Sequence, residues 1–130
     1  MVEINWDTVP VLNEAQIEDL RAPKNSVNPQ RPYAFLAEQE RASTGAIVDV
    51  ATIFLTNREC PFRCLFCDLW KNTTDERVSI GAIPQQLQLA LEQLPPCQSV
   101  KLYNSGNFFD RQAIPAEDHE EIAHLVRTFE

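Results

Sequence analysis

Ile47-Val-Asp-Val-Ala-Thr-Ile-Phe-Leu55 is the stretch whose reading decides the fold. It is β-branched and almost continuously apolar, the pattern of a strand buried on both faces of a parallel sheet. Downstream the period changes. Leu87, Ala90, Leu91 and Leu94 stand at i, i+3, i+4 and i+7, Pro84 suits a first helical turn, and Pro95-Pro96 stops the helix. Residues 99–104 read as a second short strand with a turn at Ser105-Gly106-Asn107, and Ile122, Leu125, Val126 and Phe129 trace another helical face. The order strand, loop, helix, strand, loop, helix predicts an α/β chain of about two βα units. Its strands should be parallel and its crossovers right-handed, as in (β/α) barrels and their open relatives. Functional residues then belong at the strand C-terminal ends, so the loop after the first strand and the turn after the second should open on one face.

Working outward, residues 1–46 are broken by Pro10, Pro23, Pro29 and Pro32. Residues 21–32 read as extended surface chain, and residues 13–20 and 33–41 as short helices. The expected division is therefore a partly helical extension over 1–46, carrying no chemistry, and a core domain over 47–130. The 130 residues carry 11 Lys plus Arg against 19 Asp plus Glu, a net charge of -8, which excludes a protein that holds nucleic acid by charge alone. The chain start lacks the basic and apolar regions of a signal peptide, and no apolar run reaches the roughly 20 residues of a membrane span. A cytoplasmic protein without membrane partners is expected.

The first strand leads directly into Cys60-Pro-Phe-Arg-Cys64-Leu-Phe-Cys67, a C-x3-C-x2-C spacing. Three cysteines in eight residues without an export signal favour metal or redox chemistry over disulfides. Thiolates hold both zinc and iron–sulfur clusters. The number matters, because structural zinc wants four closed protein ligands, whereas a [4Fe–4S] cluster on three cysteines leaves one iron open.

Over residues 47–115 the sequence resembles the radical S-adenosylmethionine enzymes, whose hallmark is this spacing after the first barrel strand with an aromatic residue before the third cysteine, here Phe66. The resemblance implies that Cys60, Cys64 and Cys67 ligate a [4Fe–4S] cluster and that its fourth iron binds the amino and carboxylate groups of S-adenosylmethionine. One electron, from a reductant such as ferredoxin or flavodoxin, would cleave the sulfonium to methionine and a 5'-deoxyadenosyl radical that abstracts a substrate hydrogen. Phe66 would lie near the adenine. Ser105, Gly106 and Asn107 stand where family members often carry a Gly-Gly-Glu type motif that receives the methionine amino group. Asn107 departs from that motif, offering a neutral carbonyl in place of a carboxylate. The run Asn104-Ser-Gly-Asn-Phe-Phe-Asp110 is similar to the Ser-Gly-x-Phe-x-Asp version of a subfamily related to the archaeosine-forming and Elongator-type proteins, which implies modification of transfer RNA. The family core needs more βα units than are visible, so the chain reads as the N-terminal portion of a partial (β/α) barrel whose substrate-binding strands come later.

Other readings of the same residues compete. A non-catalytic zinc or cluster-only module could recruit Cys97, His119 or His124 as a fourth ligand. Cys97, however, enters the second strand at the end opposite the cysteine loop and reads as a small buried residue. His119 and His124 sit among Glu117, Asp118, Glu120 and Glu121 and read as a solvated acidic helix face. A dithiol at Cys64 and Cys67 is disfavoured by the third cysteine, and Asp68 removes the c-type haem motif. Arg58, Arg63, Lys71 and Arg77 alternate with Glu59, Asp68, Asp75 and Glu76, so these bases either hold an anion or are solvated loop charges. Trp70 is expected to pack over the loop in preference to stacking on a base.

Overall fold

A computed structural model describes residues 1–129. The chain is an α/β structure built on a three-stranded sheet: β1 (Ala34–Arg41), β2 (Ile47–Phe54) and β3 (Ser99–Tyr103), with β2 in the centre. β2 pairs in parallel with β3, from Val50 opposite Ser99 to Phe54 opposite Tyr103. On its other side β2 pairs antiparallel with β1, from Ala34 opposite Phe54 to Arg41 opposite Ile47. The sheet is therefore mixed.

The antiparallel strand corrects the helix expected over residues 33–41. Ala, Leu, Glu, Gln and Arg dominate that stretch and favour a helix locally, but β2 needs a hydrogen-bonding partner on its open side. The full ladder with β1 overrides propensity. The two strands join through residues 42–46, where Gly45 at φ +87° donates to the Ala42 carbonyl and the Ala42 N–H donates to Ala46. The expected boundary at 46/47 falls in this turn. The extension ahead of β1 is partly helical, as expected, with α1 over Glu14–Asp19 capped by Asn13 and Gln16 in a reciprocal capping box.

α2 (Ala82–Gln93) runs between β2 and β3, and α3 (His119–Arg127) packs on α2. Ile53, Leu55, Val78, Ile83, Leu87, Ala90, Ile114 and Ile122 form the core, with Phe35, Leu102, Leu125 and Val126 half-buried against it. The helical period at 87, 90, 91 and 94 thus faces inward as its spacing required. On the opposite sheet face Val50 and Thr52 are buried. There Thr52 donates to Glu38 and Lys101 pairs with Glu40, so long side chains of the flanking strands shield the centre. Among the described residues no helix is long and apolar enough to cross a membrane.

Candidate functional site

Beyond Phe54 the chain stays buried through Leu55, Thr56 and Asn57 before it opens into the cysteine loop. Backbone groups there have lost a regular ladder, and side chains satisfy them. Gln86 of α2, fully buried, accepts from the Thr56 N–H at 2.8 Å and donates to the carbonyls of Thr56 and Pro29, each at 2.7 Å. Asn57, also fully buried, donates to the carbonyls of Arg58 and Ser105, both at 2.9 Å, and accepts from the Ser105 N–H at 3.1 Å. One carboxamide thus fixes the end of β2 to the turn after β3. The base of the loop is closed by backbone bonds from Thr74 to Asn57 and from Glu59 to Thr74.

The two loops meet as the strand order required. A Cβ added at Gly106 would stand 3.4 Å from Cys60 Cβ and 3.5 Å from Cys60 Sγ, and Gly106 has φ +77°. Glycine is needed there for its backbone conformation, and a side chain in its place would stand in ordinary contact with Cys60. Cys60 and Cys67 are partly exposed, Cys64 is exposed, and none is in a disulfide. The Cys67 N–H donates to the Cys64 carbonyl at 3.1 Å. Phe62, Leu65 and Phe66 project outward, Phe66 being 92% exposed. Ser105 is buried, while Asn107 is exposed and its Oδ1 accepts from the Phe109 N–H at 3.0 Å.

Whether these residues suit a metal group is a question of donors and of space. Three soft thiol donors on one short loop match an iron–sulfur cluster or zinc, and the missing side chain at Gly106 leaves room beside Cys60. Among the described residues, however, no three Cys, His, Asp or Glu side chains converge on one point. A bound group would have to draw the exposed Cys64 toward the other two thiols.

Charged side chains surround the loop in defined pairs. Glu59, immediately before the first cysteine, is held by Arg21 at 2.6 Å and Lys24 at 2.8 Å, with Arg63 at 3.7 Å. Burial acts to raise the Glu59 carboxyl, but hydrogen bonds from Lys24 and Arg21 and the nearby positive charges outweigh it and keep the group below the ordinary carboxylate value. Burial likewise acts to lower Lys24, and its bonds to Asp75 and Glu59 carry it above the ordinary lysine value. Arg63 pairs with Glu18 at 2.7 Å and donates to the carbonyls of Cys60 and Pro61. Arg58 donates to Gln112, Lys71 pairs with Asp68, and Arg77 donates to the Arg111 carbonyl. The four loop bases therefore all have protein partners. A polar cleft of about 520 Å³ opens between Cys60, Arg58, Arg63, Asp110 and Gln112.

Trp70 packs as expected: it is buried, and its indole N–H donates to the Cys67 carbonyl at 2.9 Å. Cys97 is buried ahead of β3, its thiol donates to Pro95, and burial together with the Asp49 charge raises its pKa. The acidic-face reading holds for exposed Glu117, Glu120, Glu121 and His124 and fails for His119 and Asp118. The His119 ring stacks on Phe108 at 5.1 Å and its Nε2 is buried without a partner, while buried Asp118 accepts from the Gly81 N–H at the start of α2. Sequence reading missed Asn57 and Gln86 altogether. The one available signal was a polar residue placed where an apolar strand or helix face continues. No family model, curated protein or solved structure matches the chain.

Proposed function

We propose that the chain carries the cluster-binding part of a radical S-adenosylmethionine enzyme, with Cys60, Cys64 and Cys67 as ligands of a [4Fe–4S] cluster and RNA as the substrate class. The observation that carries this reading is the contact of Gly106 with Cys60, which joins a three-cysteine loop to the turn of the neighbouring parallel strand. Bound together, cluster and S-adenosylmethionine would supply one-electron cleavage of the sulfonium and a carbon radical, given a reductant such as ferredoxin or flavodoxin. The protein's part is placement. Asn57 sets the separation of the two loops, and Gly106, at φ +77°, turns the strand end beside Cys60. Asn107 keeps a second lone pair on Oδ1 for an ammonium group, and exposed Phe66 offers a face for an adenine.

Anaerobic reconstitution with iron and sulfide tests the reading. About four irons and four sulfides per chain are expected, lost when the three cysteines become alanine, while Cys97→Ala retains them. S-adenosylmethionine should perturb the cluster spectrum, and 5'-deoxyadenosine should form under reduction. A chain that holds one zinc and no labile sulfide, the non-catalytic alternative, overturns the proposal.

A further inference from the structure

We infer that residues 18–25 form a clasp across the cysteine loop and that Arg21 is its positioning residue. The inference deepens the cluster reading and rests on it for its functional meaning, whereas the clasp itself stands on direct contacts between the two segments. At the Cys60 end, Arg21 and Lys24 hold Glu59, and Glu18 holds Arg63, whose guanidinium also donates to the carbonyls of Cys60 and Pro61. At the Cys67 end, the Asn25 N–H donates to the Lys71 carbonyl at 2.8 Å, and the Asn25 side chain donates to Asn72 at 3.0 Å.

Arg21 joins the two ends. One nitrogen bonds Glu59, and its guanidinium carbon lies 4.8 Å from the centre of the Trp70 ring, the ring whose N–H holds the Cys67 carbonyl. Its side chain is only 13% exposed. A planar guanidinium can bond a carboxylate with its edge while its face covers an indole, and a lysine ammonium cannot match both at once. Between these two anchors lie Pro61, Phe62, Leu65 and Phe66, all exposed. The loop is thus tied at Cys60 and at Cys67, with Cys64 exposed between them. Such an arrangement holds the outer two thiols at a set spread and lets Cys64 move onto a bound group.

The test uses the metal-free chain and reads each thiol separately. Iodoacetamide alkylation is followed by mass spectrometry at Cys60, Cys64 and Cys67 in wild type, Arg21→Ala, Arg21→Lys and Glu59→Gln. Loss of one ion pair, whose carboxylate Lys24 still holds, and of one cation–π contact raises local opening roughly tenfold. Alkylation of Cys60 and Cys67 should rise by that factor in Arg21→Ala, with Cys64 unchanged. Arg21→Lys should recover the rate at Cys60 and leave Cys67 fast, because only the Glu59 contact is restored. Glu59→Gln, which keeps the shape, should accelerate Cys60 even if Arg21→Ala folds poorly. Equal rates at Cys60 and Cys67 in all four proteins overturn the clasp. Reconstitution in parallel reads the functional half, with cluster occupancy expected to fall in Arg21→Ala. Should wild type take up no cluster while thiol rates respond as stated, the cluster reading falls and the clasp stands.

Discussion

Asn57 is the residue whose replacement tests the architecture of the site most directly. Its carboxamide makes three hydrogen bonds in a fully buried position, two of them to the backbone of Ser105 on the neighbouring strand end. Asn57→Ala removes all three, each worth about 1 kcal/mol net, and leaves the Ser105 N–H and carbonyl without partners at a further cost of about 1–3 kcal/mol. A water entering the vacated space would recover part of this. The expected loss is about 3 kcal/mol, or about 10 °C in Tm for a chain of this size. Asn57→Asp separates shape from hydrogen bonding. It keeps the volume but sets a carboxylate oxygen against the carbonyls of Ser105 and Arg58, so at pH 7 it should be at least as damaging as alanine. Burial raises that carboxyl, and its protonated form regains a donor. The Asp variant should therefore recover stability as the pH falls through the raised pKa, a recovery that Asn57→Ala lacks. Urea unfolding followed by circular dichroism from pH 7 to 4 measures both effects. An Asp variant within about 1 kcal/mol of wild type at pH 7 would show that the carboxamide bonds do not join the loops, and the reasoning would fail.

Three further outcomes follow from the same geometry. Gln86→Leu preserves size but strips the Thr56 N–H and the carbonyls of Thr56 and Pro29 of their partner, so a loss of about 2–4 kcal/mol is expected in urea unfolding; a neutral result refutes the role given to Gln86. Gly106→Ala places a methyl against Cys60 at a φ of +77°, costing about 1–2 kcal/mol, and should slow alkylation of Cys60 relative to Cys67; an unchanged ratio removes the contact from consideration. Lys24 lies above its ordinary 10.5, so its contribution is complete below that value and lost as pH rises through the folded pKa. The Tm difference between wild type and Lys24→Met should accordingly stay constant from pH 7 to about 10 and shrink only beyond; closure of the gap below pH 9 contradicts the pairing with Glu59 and Asp75.

The elements that sequence reading located best are those whose local pattern and tertiary role agree. β2 is buried at its centre because Val50, Ala51 and Ile53 have no polar atoms to satisfy, and α2 turns Leu87 and Ala90 to the core because its period matches its packing. β1 escaped detection for the opposite reason. Ala34–Arg41 has a helical composition, and only pairing with the open side of β2, across the turn that follows it, makes it a strand. A contact of that kind has no local signature.

At the site, the same division runs between chemistry and position. Cysteine spacing and the glycine turn are written in consecutive residues, and strand order alone placed the two loops at one end of the sheet, where Gly106 does meet Cys60. What holds them there was not legible, because Asn57 and Gln86 look like ordinary polar residues until the backbone groups they satisfy are known. Residues 18–25 were illegible for a related reason. Glu18, Arg21 and Lys24 form a charge pattern typical of a solvated extension, and their partners Glu59 and Arg63 lie some forty positions downstream. An isolated exposed ion pair contributes little. Arg21 differs in being mostly covered and shared between a carboxylate and an indole, and that difference makes a proline-broken leader part of the loop it covers.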